Sequence, residues 1–176
     1  MWPFDPIHNF IDPFIANFDD FFNAVSSTDF VQDYASTDFA IAVVECLHVL
    51  AVGLVVGTIF FVDLRLLGFF RRVPVRQASK ILPFTWWAFV GAVITGSLFF
   101  LQQPGRYVHN EAFQIKFLLL ALAGINLAVF HFGVWRRVDS WDIGRPTPMA
   151  AKLAGTLSAL FWVGVLFYGR LVPFVG

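Results

Sequence analysis

The sequence predicts an all-α protein: a four-helix transmembrane bundle preceded by an amphipathic N-terminal helical segment. Four apolar runs, at roughly 39–69, 82–103, 112–135 and 151–173, each supply the ~20 apolar residues that cross a hydrocarbon core about 30 Å thick. A mean hydropathy of +0.71 with only 14% charged residues lies outside the range of ordinary soluble domains. Basic residues gather in alternate connections. The 176 residues therefore divide into an acidic, Phe-rich surface segment, 1–37, and a transmembrane domain, 38–176.

The first 37 residues hold six Asp and no Lys or Arg, the reverse of a basic signal-peptide leader, so the first span is expected to target the chain. Asp5-Pro6 and Asp12-Pro13 each read as an N-cap followed by Pro at the first helical position. From Ile7 onward Phe10, Ile11, Phe14, Ile15, Phe18, Phe21, Phe22 and Val25 recur at helical spacing, opposite Asn9, Asp12, Asn17, Asp19, Asp20 and Asn23. Interfacial helices favour Lys and Arg on the polar face, and this one carries Asp. Two readings stand: an acidic helix on the outer membrane surface, or a docking element through which residues 1–36 attach to a larger membrane complex.

The first run carries Glu45, His48, Asp63 and Arg65 among Val, Leu, Ile, Phe and Gly. Ionisable groups at that depth cost a few kcal/mol even on lenient scales, so they face a bundle interior and bind or pair with something. Gly53 and Gly57 form a Gly-x-x-x-Gly step on the side away from His48, suited to close helix packing. The fourth run offers Ala154, Gly155, Ser158 and Ala159 in a comparable arrangement.

Loop one holds Arg71, Arg72, Arg76 and Lys80 without an acid, and loop three holds Arg136, Arg137, Arg145 and Lys152 against Asp139 and Asp142. Loop two holds only Arg106 and Glu111. The positive-inside rule then places loops one and three in the cytoplasm and both termini outside, in a multi-pass protein of the bacterial inner membrane.

Composition narrows the chemistry. A net charge of zero and a pI near 6.9 give no field for nucleic acid. One cysteine, Cys46, excludes an internal disulfide and covalent haem attachment through Cys-x-x-Cys-His. Two Met residues argue against a thioether copper site. A transporter would show repeats and broken helices, and neither is seen.

Neutral imidazole is the standard axial ligand of non-covalent haem b, which makes His48, His109 and His131 the candidates, while His8 lies in the tail. Measured from Arg71 and Arg136, His48 and His131 differ by 18 residues in depth, about 27 Å, too far to share one iron. His109 is only four residues off the level of His48, about 6 Å. The same level collects Gln102, Gln103, Arg106, Lys116 and Arg170, so His48 and His109 are the candidate metal ligands. Lys116, Arg106 and Arg170 are the cations that would meet the propionates. His109 also reads as a wet loop histidine after a Pro-Gly turn.

A second group gathers toward the other end: Asp63, Arg65, Trp86, Trp87, Asn126 and His131. Asp63 and Arg65, two apart, point in nearly opposite directions and should not pair. Arg65 has partners elsewhere or snorkels to the headgroups. The tryptophans read as an interfacial belt, and His131 as a buried structural histidine beside Asn126.

The run LHVLAVGLVVGTIFFVDLRLLGFF, the segment NEAFQIKFLLLALAGINLAVFH and the ending WVGVLFYGRLVPF together resemble a family of small bacterial four-helix membrane proteins of unassigned function. The resemblance covers about residues 45–172, and its most specific piece is Asp-Leu-Arg-Leu-Leu-Gly at 63–68, supported by His48, Lys116, His131 and Arg170. More distantly, a His early in helix one, an Arg near its end and a Lys early in helix three resemble the haem-b-binding membrane protoporphyrinogen oxidases and the transmembrane copper-resistance proteins. The basic and aromatic signatures of the oxidase are missing.

The leading expectation is a haem b protein for electron transfer near the outer face, with quinone as a mobile partner. The alternative is a non-catalytic accessory subunit of a respiratory or photosynthetic complex. Whether the chain is an enzyme is open at this level.

Overall fold

The computed structural model describes residues 21–70, 72–142 and 145–175. The tail's apolar stripe before Phe21, with His8, Asp12, Asp19 and Asp20, lies outside them. The four long helices are α1 (Asp38–Leu67), α2 (Leu82–Gln102), α3 (Glu111–Phe132) and α4 (Met149–Leu171). Each is long and apolar enough to cross a membrane, and no strand occurs among the described residues. The chain is a multi-pass helical membrane protein.

Local chemistry sets the helix ends. Gly68 at φ 102° is the left-handed residue that stops α1, and the Phe69 N–H reaches back to the Leu64 carbonyl over 3.0 Å. The last residue of the Asp-Leu-Arg-Leu-Leu-Gly run is thus a helix terminator. Pro83 stands in the first turn of α2, where its missing N–H is harmless. Asn110 caps α3, its Oδ1 accepting the Phe113 N–H at 3.0 Å. The third span stops at Gly133, short of the expected 135, because the chain tightens into a 3-10 stretch over Val134–Ser140.

Helix α1 packs against both α2 and α4, and α4 packs against α3. Glycines allow the approaches. A Cβ at Gly155 would lie 3.2 Å from the Asp63 carbonyl oxygen and from Leu66, and one at Gly164 would lie 2.7 Å from Leu119. Cross-helix hydrogen bonds add to this: Thr85 Oγ1 to Thr58 Oγ1 at 2.7 Å, and Asn126 Nδ2 to the Ala154 carbonyl at 2.9 Å. The Gly53/Gly57 step does not behave as expected. Both glycines are exposed, and a Cβ on either would meet nothing within 4 Å. Within this chain α1 uses Gly91 of α2 and Gly155 of α4 for its close approaches, leaving its own glycine face outward.

At the end formed by loops one and three, here called the basic end, the two loops fold onto each other. Arg65 is 3% exposed; its Nε donates to the Val73 carbonyl and its Nη2 to the Asp142 carbonyl at 2.9 Å. The Asp142 carboxylate accepts the Val75 N–H. Leu66, Val75, Val138, Trp141 and Ala151 close over this knot as a buried apolar cluster. Arg65 therefore does not snorkel: carbonyls within reach satisfy the guanidinium inside the protein. Outside the knot, Arg76 and Asp139 form an exposed ion pair at 2.8 Å, which contributes little.

At the opposite end, which holds the described parts of both termini and is called the terminal end, Asn110 also donates to the Val172 carbonyl at 2.9 Å and to that of Val175. One buried amide so caps α3 and clasps the chain's last turn. Part of the tail is seated here. The helix Asp29–Ala35 buries Val31, and Phe22 meets Phe100 edge to face at 4.9 Å.

Replacing Arg65 with Ala leaves the Val73 and Asp142 carbonyls unpaired in a dry site and is expected to cost about 2–4 kcal/mol. Lys, which lacks the planar fork, should recover only part of it. Denaturing-detergent titration of helicity measures both variants; equal stability of Ala variant and wild type would remove Arg65 from its structural role.

Candidate functional site

The bundle interior toward the terminal end receives side chains from several helices. From α1 comes His48, half-buried, with Nδ1 2.8 Å from Thr95 Oγ1 of α2. Thr95 Oγ1 is also 2.8 Å from the Gly91 carbonyl. The hydroxyl has one hydrogen. Directed at that carbonyl, it leaves Oγ1 to accept from Nδ1–H, which fixes the tautomer with a free lone pair on Nε2. Gly96 makes room for the ring, since a Cβ there would come 3.2 Å from His48 Cε1. Phe99 closes one side edge to face, with ring centroids 5.7 Å apart. The imidazole is thus oriented by a hydrogen bond and held by shape.

Lys116 of α3 approaches the same interior closely enough to act electrostatically on His48. Its stem lies across Gly169 of α4, 3.7 Å from where a Cβ would stand. No hydrogen bond or ion pair engages its ammonium among the described residues. A partly buried cation without a counterion among the described residues favours an anionic group nearby.

The five residues expected from sequence separate into two sets. His48 and Lys116 converge. Arg106 and Arg170 lie at the terminal surface, Arg106 3.5 Å from the Pro173 carbonyl and Arg170 over the Phe174 ring at 5.4 Å. His109 is exposed at the end of the short helix Pro104–Val108, and no contact joins it to His48 among the described residues. Tyr107 on that helix packs 5.4 Å from Phe113, and burial pushes its hydroxyl pKa up while Arg106 pulls the other way.

Sequence reasoning missed Thr95, Gly96 and Asn110. Thr95 and Gly96 lie in an apolar run whose only sign is the Thr-Gly-Ser break; Asn110 stands immediately before Glu111 as an ordinary N-cap would. The placement of His131 is corrected: it is exposed, not buried, and stacks on Trp135 at 6.4 Å between centroids and 12° between planes. Asn126, one face away, bonds the Ala154 carbonyl instead. Trp86 and Trp87 are exposed on the outside of α2, as a belt would be.

No protein-family model, curated protein or solved structure matches this chain. What the fold and site define is a four-helix membrane protein with an oriented histidine and a lysine inside the bundle.

Proposed function

We propose that this chain is a bacterial inner-membrane protein that binds haem b through His48 and passes single electrons, with quinone as the mobile partner. The observation carrying this reading is the His48 ring itself. Its Nδ1 is hydrogen-bonded to Thr95, the arrangement by which outer hydrogen bonds orient a ligating imidazole. Lys116 would supply the cation for a propionate, and Gly96 lets the imidazole seat close against α2. Haem b bound there would supply one-electron chemistry; the protein's part is to orient the imidazole, neutralise the carboxylates and exclude water. His109, with Arg106 and Arg170, belongs to the proposal as the imidazole and cations available at the same end.

A visible spectrum of the purified chain tests this. A Soret band and a reducible α band are expected, lost in His48→Ala, unchanged in His131→Ala, and weakened in affinity about 10–100-fold in Thr95→Val. Conversion of six-coordinate to five-coordinate iron in His109→Ala would assign the second ligand. A colourless protein from haem-sufficient cells ends the proposal.

The orientation proposed has both termini on the periplasmic side, from the four basic residues in each of loops one and three. In a Cys46→Ser background, a cysteine at exposed Gly105 should react with an impermeant reagent on intact cells, and one at exposed Gln77 should not. The opposite pattern reverses the orientation.

The second reading, an accessory subunit of a larger membrane complex, is favoured by the outward Gly53/Gly57 face, which no helix among the described residues covers. Because a larger side chain at Gly57 meets nothing here, Gly57→Leu should leave the bundle folded yet release it from its complex in mild detergent. Deleting residues 1–20 tests the tail while sparing Phe22 and Val31. Unchanged native migration of all three forms as one small species rejects this reading.

A further inference from the structure

The second polar site lies some way along α1 from His48 and takes no part in the function proposed above. Asp63 is 5% exposed, and its Oδ2 is buried without a hydrogen-bond partner among the described residues. The Ser158 hydroxyl of α4 faces the carboxyl. Around it the backbones of α1 and α4 nearly touch, since a Cβ on Gly155 would stand 3.2 Å from the Asp63 carbonyl oxygen.

The charges nearby are committed elsewhere. Arg65, the next ionisable group on α1, is spent on the Val73 and Asp142 carbonyls. The Asp142 carboxylate holds the Val75 N–H, and Arg76 holds Asp139. Facing elements offer only neutral groups: Gly155 and Ser158 from α4, Asn126 from α3 already bonded to Ala154, and Thr85 from α2 already bonded to Thr58. Lys152, the nearest charge along α4, sits in its first turn.

A carboxyl so placed has one ligand that fits. A hard metal cation needs six or more oxygens at about 2.0–2.6 Å, and no group of three acidic, histidine or cysteine side chains gathers here among the described residues. A proton needs no shell. We propose that Asp63 is a proton-exchange site of this protein. An O–H bond forms on Oδ2 as one breaks in a hydronium ion of the bathing solution, which is left as water, and the buried group passes from carboxylate to neutral acid. Asp63 stands four residues before the end of α1, about 6 Å of helix rise.

Infrared difference spectroscopy of the full-length protein in bilayers reads this directly. As pH is lowered, wild type minus Asp63→Asn should show a protonated-carboxyl C=O band that shifts in D2O. In Asp63→Glu the band should be displaced but present, which carries the assignment even if the Asn variant fails to insert. Sodium added at constant pH should leave it unchanged. A band that does not respond to pH, or that survives in Asp63→Asn, overturns the proposal, and a band abolished by sodium overturns it in favour of a cation site. Because none of these signals involves an iron chromophore, a colourless protein would fail the haem reading and leave this one standing.

Discussion

The fold depends most on one constraint: a guanidinium placed at the end of a membrane helix must be satisfied there. Arg65 meets it by turning away from Asp63 and taking two carbonyls, one from each loop at the basic end. That choice fixes where both loops run. It also brings Val75 against the Asp142 carboxylate and packs Trp141 and Val138 over Leu66. In lipid the hydrophobic effect does not draw helices together, so such polar knots and close glycine contacts decide the arrangement. Asn110 plays the matching part at the other end, capping α3 and holding the last turn of the chain.

Helix α1 is the hub, and its polar groups explain why. Thr58 is bonded from α2, His48 is fixed by Thr95, and Asp63 lies against Gly155 and Ser158 of α4. Cross-helix bonds of this kind are worth about 0.6–2 kcal/mol each, enough to set register though not to assemble a bundle alone. The outward face of α1 carries Leu50, Leu54, Gly53 and Gly57 and has no such bonds among the described residues. One helix thus has a bonded side and a greasy side, and the division runs with the 3.6-residue period.

The spans were legible because they rest on length and hydropathy, which are local properties. The end of α1 was also written in the chain, in Gly68, and the divergence of Asp63 from Arg65 follows from their two-residue spacing. What failed depended on which helix meets which. The glycine step of α1 is a generic packing signal, yet no described helix meets it, while Gly155, in the small-residue set expected on the fourth helix, and isolated Gly164 make the tight contacts. His131 looked buried by its apolar neighbours, but Val129 and Phe132 beside it are exposed, and Phe130 turns to the core on another face. Of the candidate site, His48 and Lys116 could be paired by depth; Thr95 could not, because a threonine inside an apolar helix usually bonds its own backbone, as Thr95 also does.

His48 and Asp63 stand on the same helix, 15 residues or about 22 Å apart. Two unit charges at that distance, with an effective dielectric near 20, interact by only about 0.8 kcal/mol, a factor of about four in an equilibrium constant. Charge at one site therefore acts only weakly on the other, and direct electrostatics is a poor means of linking the electron transfer proposed at His48 to the proton exchange proposed at Asp63. Any stronger coupling has to be mechanical. The connection is α1 itself, unbroken by proline, tied at its middle by Thr58 to Thr85 and at its end by Arg65. A shift of the His48 turn along the helix axis would be transmitted to the Gly155 contact, where 3.2 Å of clearance at a bare Cβ position leaves little tolerance. That contact is where a change at the histidine would be felt by the carboxyl.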